Sequence, residues 1–543
     1  MTRRFLNSMM RLCWGLIFLS SSVFASEISP DGISGTLVIC GGGEPPDVAL
    51  QILASAVGKN GSIVVISQAA KTPEMAEANV KKWLESAGME QVVVPELTDD
   101  GSVVVSSLLV KIRDANAVWI CGGQQQQRLA DALPAPQIES ALHDLLKRGG
   151  TIGGTSAGAA IMSKMMIASG TDQPQMSVGW DLLPDAIIDQ DVAERNRLPR
   201  TRLAVDSCRD KFGLAIESST AVIVSGRNMK VVGKGHANIL LAASQFRDAE
   251  TQVLSDGDIA DLTQLRRAAR LRQQEFDPGE PLFGEAKVSS GALVIVGGGS
   301  MPEDVVARFV ELAGGKDARI VVLPTAVPRA VAARERVPGF LRNAEVANVT
   351  ILRQRESREI AEEEFQTAMK TATGVWFGGG RQWNFVDAYE GTDAIELLRD
   401  VLRRGGVIGG SSAGATIQGE LLVRGHPLGN TVMLAEGYER GFAFLPGTAI
   451  DQHFSQRGRQ PDLIPVIRRH PKMLGIGLDE GTAIVVKGTR VDVIGLNAAH
   501  FLTAANMATR SDTDLNLSKP EDAAHLYVSV KAGESLDLKT LEE

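Results

Sequence analysis

Short runs of Val and Ile alternate with amphipathic stretches along most of this chain. "SIVVIS" (62–67), "AVWICGG" (117–123), "RIVVLP" (319–324) and "GVWFGGG" (374–380) hold continuous apolar runs, the last three ending in Pro or Gly. Such runs predict strands buried on both faces. "MAEANVKKWLESAG" (75–88) and "ESALHDLLKRGG" (139–150) place apolar residues three and four apart and stop at glycine. They predict helices packed by one face. Strands alternating with helices predict an α/β fold with a doubly wound, mostly parallel sheet. In such sheets ligands bind at the carboxyl ends of the strands. The glycine turns fall there.

The pattern occurs twice. "GTLVICGGGE" (35–44) matches "GALVIVGGGS" (291–300), and "AVWICGGQQQQ" matches "GVWFGGGRQWN". "GGTSAGAA" matches "GGSSAGAT", "AIIDQDVAERNR" (186–197) matches "TAIDQHFSQRGR" (448–459), and "GLAIESSTAVIV" matches "GIGLDEGTAIVV". Order is kept throughout, which predicts two tandem copies of one domain of about 220 residues. The expected units are 32–245 and 289–508, joined by a helical and Pro/Gly linker over 246–288, with a polar tail over 509–543. Within that tail, "HLYVSV" reads as a short strand.

Composition narrows the class. Charged residues are 22% of the 543 residues and the net charge is −9. That balance gives no electrostatic reason to expect a nucleic-acid partner. Residues 1–25 carry Arg3, Arg4 and Arg11, then an apolar run from Leu12 to Leu19, then Val23-Phe24-Ala25. This reads as a secretory signal peptide cut after Ala25. A retained anchor is the rival, but the run is short for a membrane span. The expected location is therefore periplasmic or secreted, with no membrane association after cleavage. Beyond Cys13, Cys40, Cys121 and Cys208 make no disulfide framework, and Cys40 and Cys121 read as buried strand-end thiols. No spacing suggests a metal site, and no cofactor is indicated.

Ser412 lies where a buried strand turns through small residues into a helix. A serine at such a corner is held above the sheet, with the helix N-terminus and the Ala413 N–H aimed at whatever it attacks. The alternative is a glycine-rich turn that binds a phosphate or merely packs. G-x-S-x-G itself is not met. A serine nucleophile needs a base and an orienting carboxylate. His453 lies at a strand end in the same half, and Asp479 and Glu480 follow another apolar run.

Taken together, the G-G-x-Q, G-G-[ST]-S-A-G-A, D-x-H-F-x-x-R-x-R and D-E-x-T-A motifs resemble the cyanophycinases. These are serine exopeptidases of the aspartyl-dipeptidase-like family, with a fold related to class I glutamine amidotransferases. The resemblance implies Ser412 as nucleophile, His453 as base and Glu480 as the acid, with Asp479 the less favoured acid. It implies an oxyanion hole from Gly379 or Gly380 with Ala413. It also implies a polymer substrate, polyaspartate carrying arginine on each side chain, and β-aspartyl-arginine as product. For such a substrate Arg457 and Arg459 are candidate carboxylate clamps, Gln382 an orienting group and Asp451 a partner for one arginine. A related aspartyl peptidase of other specificity and a non-catalytic polymer-binding protein are the competing readings. A Cys-dependent amidotransferase is disfavoured, because both turns carry Ser.

The first copy keeps Ser156, Gly122, Gly123, Gln125, Arg195 and Arg197, but has Asp191 in place of His453 and Ser218 in place of Glu480. Neither His143 nor His236 fits the base position. The first copy is expected to be inactive, and the two halves are expected to pair as an internal pseudo-dimer.

Overall fold

The computed structural model describes residues 28–123, 126–133, 135–274, 280–510 and 515–541. The expected signal peptide and Gln125 lie outside the described residues.

Each half contains an eight-stranded and a four-stranded sheet, with the same strand order in both halves. In the second half the large sheet runs Asn348–Ile351, Arg319–Leu323, Gly374–Phe377, Val407–Ser411, Val288–Val296, Thr482–Gly488, Arg490–Gly495 and Ser535–Asp537. Its first five strands are parallel and its last three antiparallel. The first half repeats this around Ile33–Cys40 and Thr151–Thr155.

The continuous apolar runs have a direct physical reason. Leu293 and Ile295 point into one core cluster, while Val294 and Val296 point into the other. In the first half Leu37 and Ile39 serve one face and Val38 and Cys40 the other. Successive side chains of a strand alternate faces, so a strand covered on both sides must be apolar at every position. Burial pushes the Cys40 thiol up to about 12, and Cys40, Cys121 and Cys208 are free. Helix Ala394–Arg403 buries Ala394, Leu397, Leu398, Val401 and Leu402, the one-sided spacing of a helix lying on a sheet.

Strands from outside the two expected units join the sheets. The stretch 246–288 is more than a linker. It gives strand Glu250–Leu254 to the small sheet and strand Ile259–Asp261 to the edge of the large one before helix Leu262–Gln273 begins. In the second half Val528–Lys531 and Ser535–Asp537 take the same two places. The expected polar tail thus supplies edge strands to both sheets of the second half. Both pairs are short edge strands with polar residues, which carry little periodic signal.

Helix Leu262–Gln273 lies where the halves meet. Arg272 donates to Glu436 over 2.6 and 2.8 Å, and Arg267 Nε donates to Gly437 O over 2.7 Å. Nearby, Arg227 reaches Asp387 over 2.8 Å and the Tyr438 hydroxyl over 2.9 Å, with its guanidinium 4.4 Å above the Trp383 ring. Among the described residues no helix is long and apolar enough to cross a membrane.

Candidate active site

Strand Val407–Ser411 lies between Gly374–Phe377 and Val288–Val296 at the middle of the sheet. Ser412 follows it with φ 57° and ψ −114°, and helix Ala413–Thr416 starts at once. A non-glycine residue in such backbone costs about 1–3 kcal/mol and persists only where neighbours enforce it. The enforcement is visible. Ser412 N donates to Val296 O over 3.1 Å. A Cβ on Gly410 would come within 2.3 Å of Gly414 O, and one on Gly414 within 2.3 Å of Phe377 O. The turn packs backbone on backbone, so only glycine fits at those two places.

His453 and Glu480 arrive on neighbouring parallel strands of the small sheet, Thr448–Gln452 and Leu474–Leu478, whose last residues are in register. His453 has φ 52° and its N donates to Gly297 O over 2.7 Å. Its Nε2 lies 3.0 Å from Ser412 Oγ, and its Nδ1 lies 2.5 Å from Glu480 Oε1. With Nδ1–H donated to the carboxylate, Nε2 is left to accept the serine proton. Burial pulls the His453 imidazole below the ordinary histidine range. The Glu480 hydrogen bond opposes that shift, while the nearby charges of Arg457 and Arg459 add to it. The side chain is therefore held as the neutral base near neutral pH.

Asp479 points elsewhere. It accepts from Ser455 N over 3.0 Å and lies 3.2 Å from His500 Nε2. Of the two candidate carboxylates, Glu480 alone meets His453 in this way. Gly379 stands beside the nucleophile, since a Cβ there would lie 3.6 Å from Ser412 Cβ. Gly380, at φ 146°, is pressed against Ala326 O. Ala413 heads its helix, where first-turn N–H groups have no intrahelical acceptor.

Three of the expected substrate groups are committed inside the protein. Gln382 is buried and donates to Val423 O over 2.8 Å. Asp451 is fully buried and accepts from Arg424 Nε and Nη2, each at 2.8 Å, and from Arg459 at 3.1 Å. Arg459 also donates to Gln452 O over 2.6 Å. The expected pairing of Asp451 with an arginine exists, but as a buried structural network. That leaves Arg457, which is exposed and close enough to act on His453.

Two further glycines, Gly298 and Gly299, shape the site. A Cβ on Gly298 would strike the His453 ring at 2.3 Å, and one on Gly299 would come within 2.8 Å of Glu480 Cβ. The signal was the repeated Gly-Gly-Gly after the first strand of each half. Arg424, the main partner of Asp451, lies in no repeated motif.

In the first half the same scaffold holds different groups. Ser156 has φ 50° and ψ −114°, nearly the backbone of Ser412. Asp191, at φ 52°, occupies the base position and accepts from Ser218 Oγ over 2.8 Å. Arg195 Nε lies 3.8 Å from the other Asp191 oxygen. His236 pairs with Glu217 at 3.1 Å, and His143 sits on helix Ala135–Lys147. Among the described residues no imidazole bonds Ser156. Nor does any cluster of three His, Cys, Asp or Glu there suit a metal ion.

Comparison with known proteins fits both halves. The family model "Peptidase family S51" matches residues 37–232 and again 293–494. A cyanophycinase of Geminocystis herdmanii is 29% identical over 196 residues, 36% of this chain and 72% of its own length. A cyanophycinase of Synechococcus elongatus is 26% identical over 278 residues, 49% of this chain and 85% of its own. A crystal structure of a peptidase from an acI-B1 actinobacterium aligns over 42% of this chain and 98% of its own, with 18% identity and a TM-score of 0.35. The chain belongs to peptidase family S51 in both of its halves and is a serine-type peptidase.

Proposed function

We propose that the protein is an exported cyanophycinase-like exopeptidase that hydrolyses an arginine-bearing polyaspartate to β-aspartyl-arginine, using the second half alone. The observation that carries this reading is the hydrogen-bonded row Ser412–His453–Glu480, set against its absence around Ser156. The Ser412 proton passes to His453 Nε2 as Oγ adds to the scissile carbonyl. The carbonyl oxygen becomes an oxyanion facing the N–H groups of Gly379 or Gly380 and Ala413. His453 then returns the proton to the leaving amine as the C–N bond breaks, leaving an acyl group on Ser412. Water, deprotonated by the same imidazole, releases the acid and restores the serine. Glu480 keeps Nδ1–H in place and offsets the charge of the imidazolium.

The cyanophycinase relatives support the polymer substrate. The Arg-bearing, apolar N-terminal stretch supports export to the periplasm or beyond. The contacts of Arg227 and Arg272 with the second half support an internal pseudo-dimer. A solution mass near one chain's 57.8 kDa is its expected signature.

The decisive experiment incubates the protein with purified cyanophycin and follows β-Asp-Arg by mass spectrometry. The parent and Ser156→Ala are expected to release the dipeptide and Ser412→Ala to release none. A dead Ser156→Ala variant would reverse the assignment of the halves. An inert parent would remove the polymer as substrate.

A further inference from the structure

Beside the nucleophile turn opens a slot of about 270 Å³. It lies at the carboxyl ends of parallel strands, where ligands of open α/β sheets sit. Gly379 and Ser411 form the side nearest Ser412, and Val322, Pro338, Phe340 and Trp376 wall the rest. The aromatic wall is rigid, with the Phe340 and Trp376 rings packed edge to face at 4.9 Å. Two charged residues, Glu335 and Arg336, also line it and are exposed. Among the described residues neither side chain has a hydrogen-bond or ion-pair partner, whereas the Glu335 backbone is pinned by Arg353, which donates to Glu335 O over 2.7 Å and to Ala332 O over 2.9 Å.

The slot exists because the sequence interrupts a helix. After strand Ile63–Ile66 the first half continues into one helix, Pro73–Ser86. After the matching strand Arg319–Leu323, Pro328 and Pro338 each start a short helix, Arg329–Ala332 and Gly339–Asn343. Proline lacks the N–H that a continuing helix would use. Glu335 and Arg336 lie on the stretch between the two. The half in which a histidine meets the serine turn therefore also carries an apolar slot with one free carboxylate and one free guanidinium.

We propose that this slot takes the arginyl branch of the substrate, so that Glu335 and Arg336 determine specificity; the inference rests on the substrate class proposed above. An arginyl residue linked through its amine has a three-methylene stem, a guanidinium at one end and a free carboxylate at the other. The stem lies along Trp376 and Phe340. The guanidinium pairs with Glu335 and the carboxylate with Arg336, each able to bond in bidentate fashion. A branch of alanine keeps the carboxylate for Arg336 but has no guanidinium for Glu335.

The test is calorimetric titration of the full chain carrying Ser412→Ala, with β-Asp-Arg and β-Asp-Ala as probes. β-Asp-Arg is expected to bind, and Glu335→Gln or Arg336→Gln to weaken it about tenfold. β-Asp-Ala is expected to bind weakly, to be indifferent to Glu335→Gln and to lose affinity with Arg336→Gln, and Glu335→Asp is expected to recover part of the β-Asp-Arg loss. Equal β-Asp-Arg affinity in parent and both Gln variants overturns the assignment, as does no binding at all. Should the unmodified chain fail to cleave cyanophycin while the titration still discriminates, the polymer reading falls and the slot stands. Cleavage without any dependence on Glu335 or Arg336 gives the reverse result.

Discussion

Ser218 Oγ donates to Asp191 over 2.8 Å in the first half, in the place where the second half joins Glu480 to His453 over 2.5 Å. The two pairs sit on equivalent strand ends, and Asp191 and His453 share a φ of 52°. The first half has thus kept the strained serine turn and lost the imidazole. If chemistry alone separates the halves, then Asp191→His with Ser218→Glu, made in the Ser412→Ala background, activates Ser156. Mass spectrometry after treatment with a fluorophosphonate is expected to find the label on Ser156 in that protein and not in Ser412→Ala alone. No labelling in the triple variant would mean that more than the base and acid has been lost.

The environment of His453 predicts a pH profile. Burial and the nearby Arg457 charge hold its imidazole below the ordinary histidine value. The base must be neutral to accept the serine proton, so kcat/KM is expected to rise with pH and reach half its plateau below pH 6.5. Arg457→Gln removes a positive charge that disfavours the imidazolium, so this midpoint should move upward. The shift should shrink in high salt, because Arg457 is exposed. A midpoint unchanged by Arg457→Gln at low salt would place that guanidinium too far away to matter.

The strands were legible because burial on both faces demands an unbroken apolar run, as at Leu293 to Val296. Ser412 and His453 were legible because each follows such a run, and strand ends of one fold gather at one edge; the runs left Asp479 and Glu480 open, and the family resemblance favoured Glu480. Asp451 does pair with an arginine, Arg459, but its place in a larger buried network was not legible, because its other partner, Arg424, comes from a stretch 27 residues earlier with no motif of its own. A polar residue next to a reactive one looks the same in sequence whether it faces substrate or a buried guanidinium. The bond from Gln382 to Val423 O was illegible for the same reason. The slot at Glu335 was invisible, since it arises from prolines that break a helix rather than from any residue that performs chemistry.

The Asp451 network predicts a division between stability and binding. Removing the carboxylate by Asp451→Ala leaves Arg459 buried without its paired carboxylate and Arg424 with Asp462 alone. Breaking a buried pair in this way costs about 3–5 kcal/mol. Calorimetry is expected to show a clearly lower unfolding temperature for Asp451→Ala. Arg457→Ala, at an exposed position, should shift stability by no more than about 0.5 kcal/mol while raising KM for the polymer. An Asp451→Ala protein that melts like the parent but has a raised KM would return Asp451 to the substrate-binding role first expected of it.

Contacts between the halves predict that their stabilities are coupled. Arg227 of the first half pairs with Asp387 of the second over 2.8 Å, and Asp387 also accepts from the Tyr438 hydroxyl over 2.7 Å. Both charges are largely withdrawn from solvent, with side-chain exposures of 19% and 6%, so the pair should be worth more than a surface ion pair. In a double-mutant cycle on urea unfolding, Arg227→Ala and Asp387→Ala are expected to show a coupling of about 0.5–3 kcal/mol. Because the pair joins the halves, its loss should also loosen their shared transition. Arg227→Ala is expected to broaden or split an unfolding curve that is single in the parent. Strict additivity, with one unchanged transition, would mean that the halves fold as independent neighbours and that the pseudo-dimer has no energetic content at this contact.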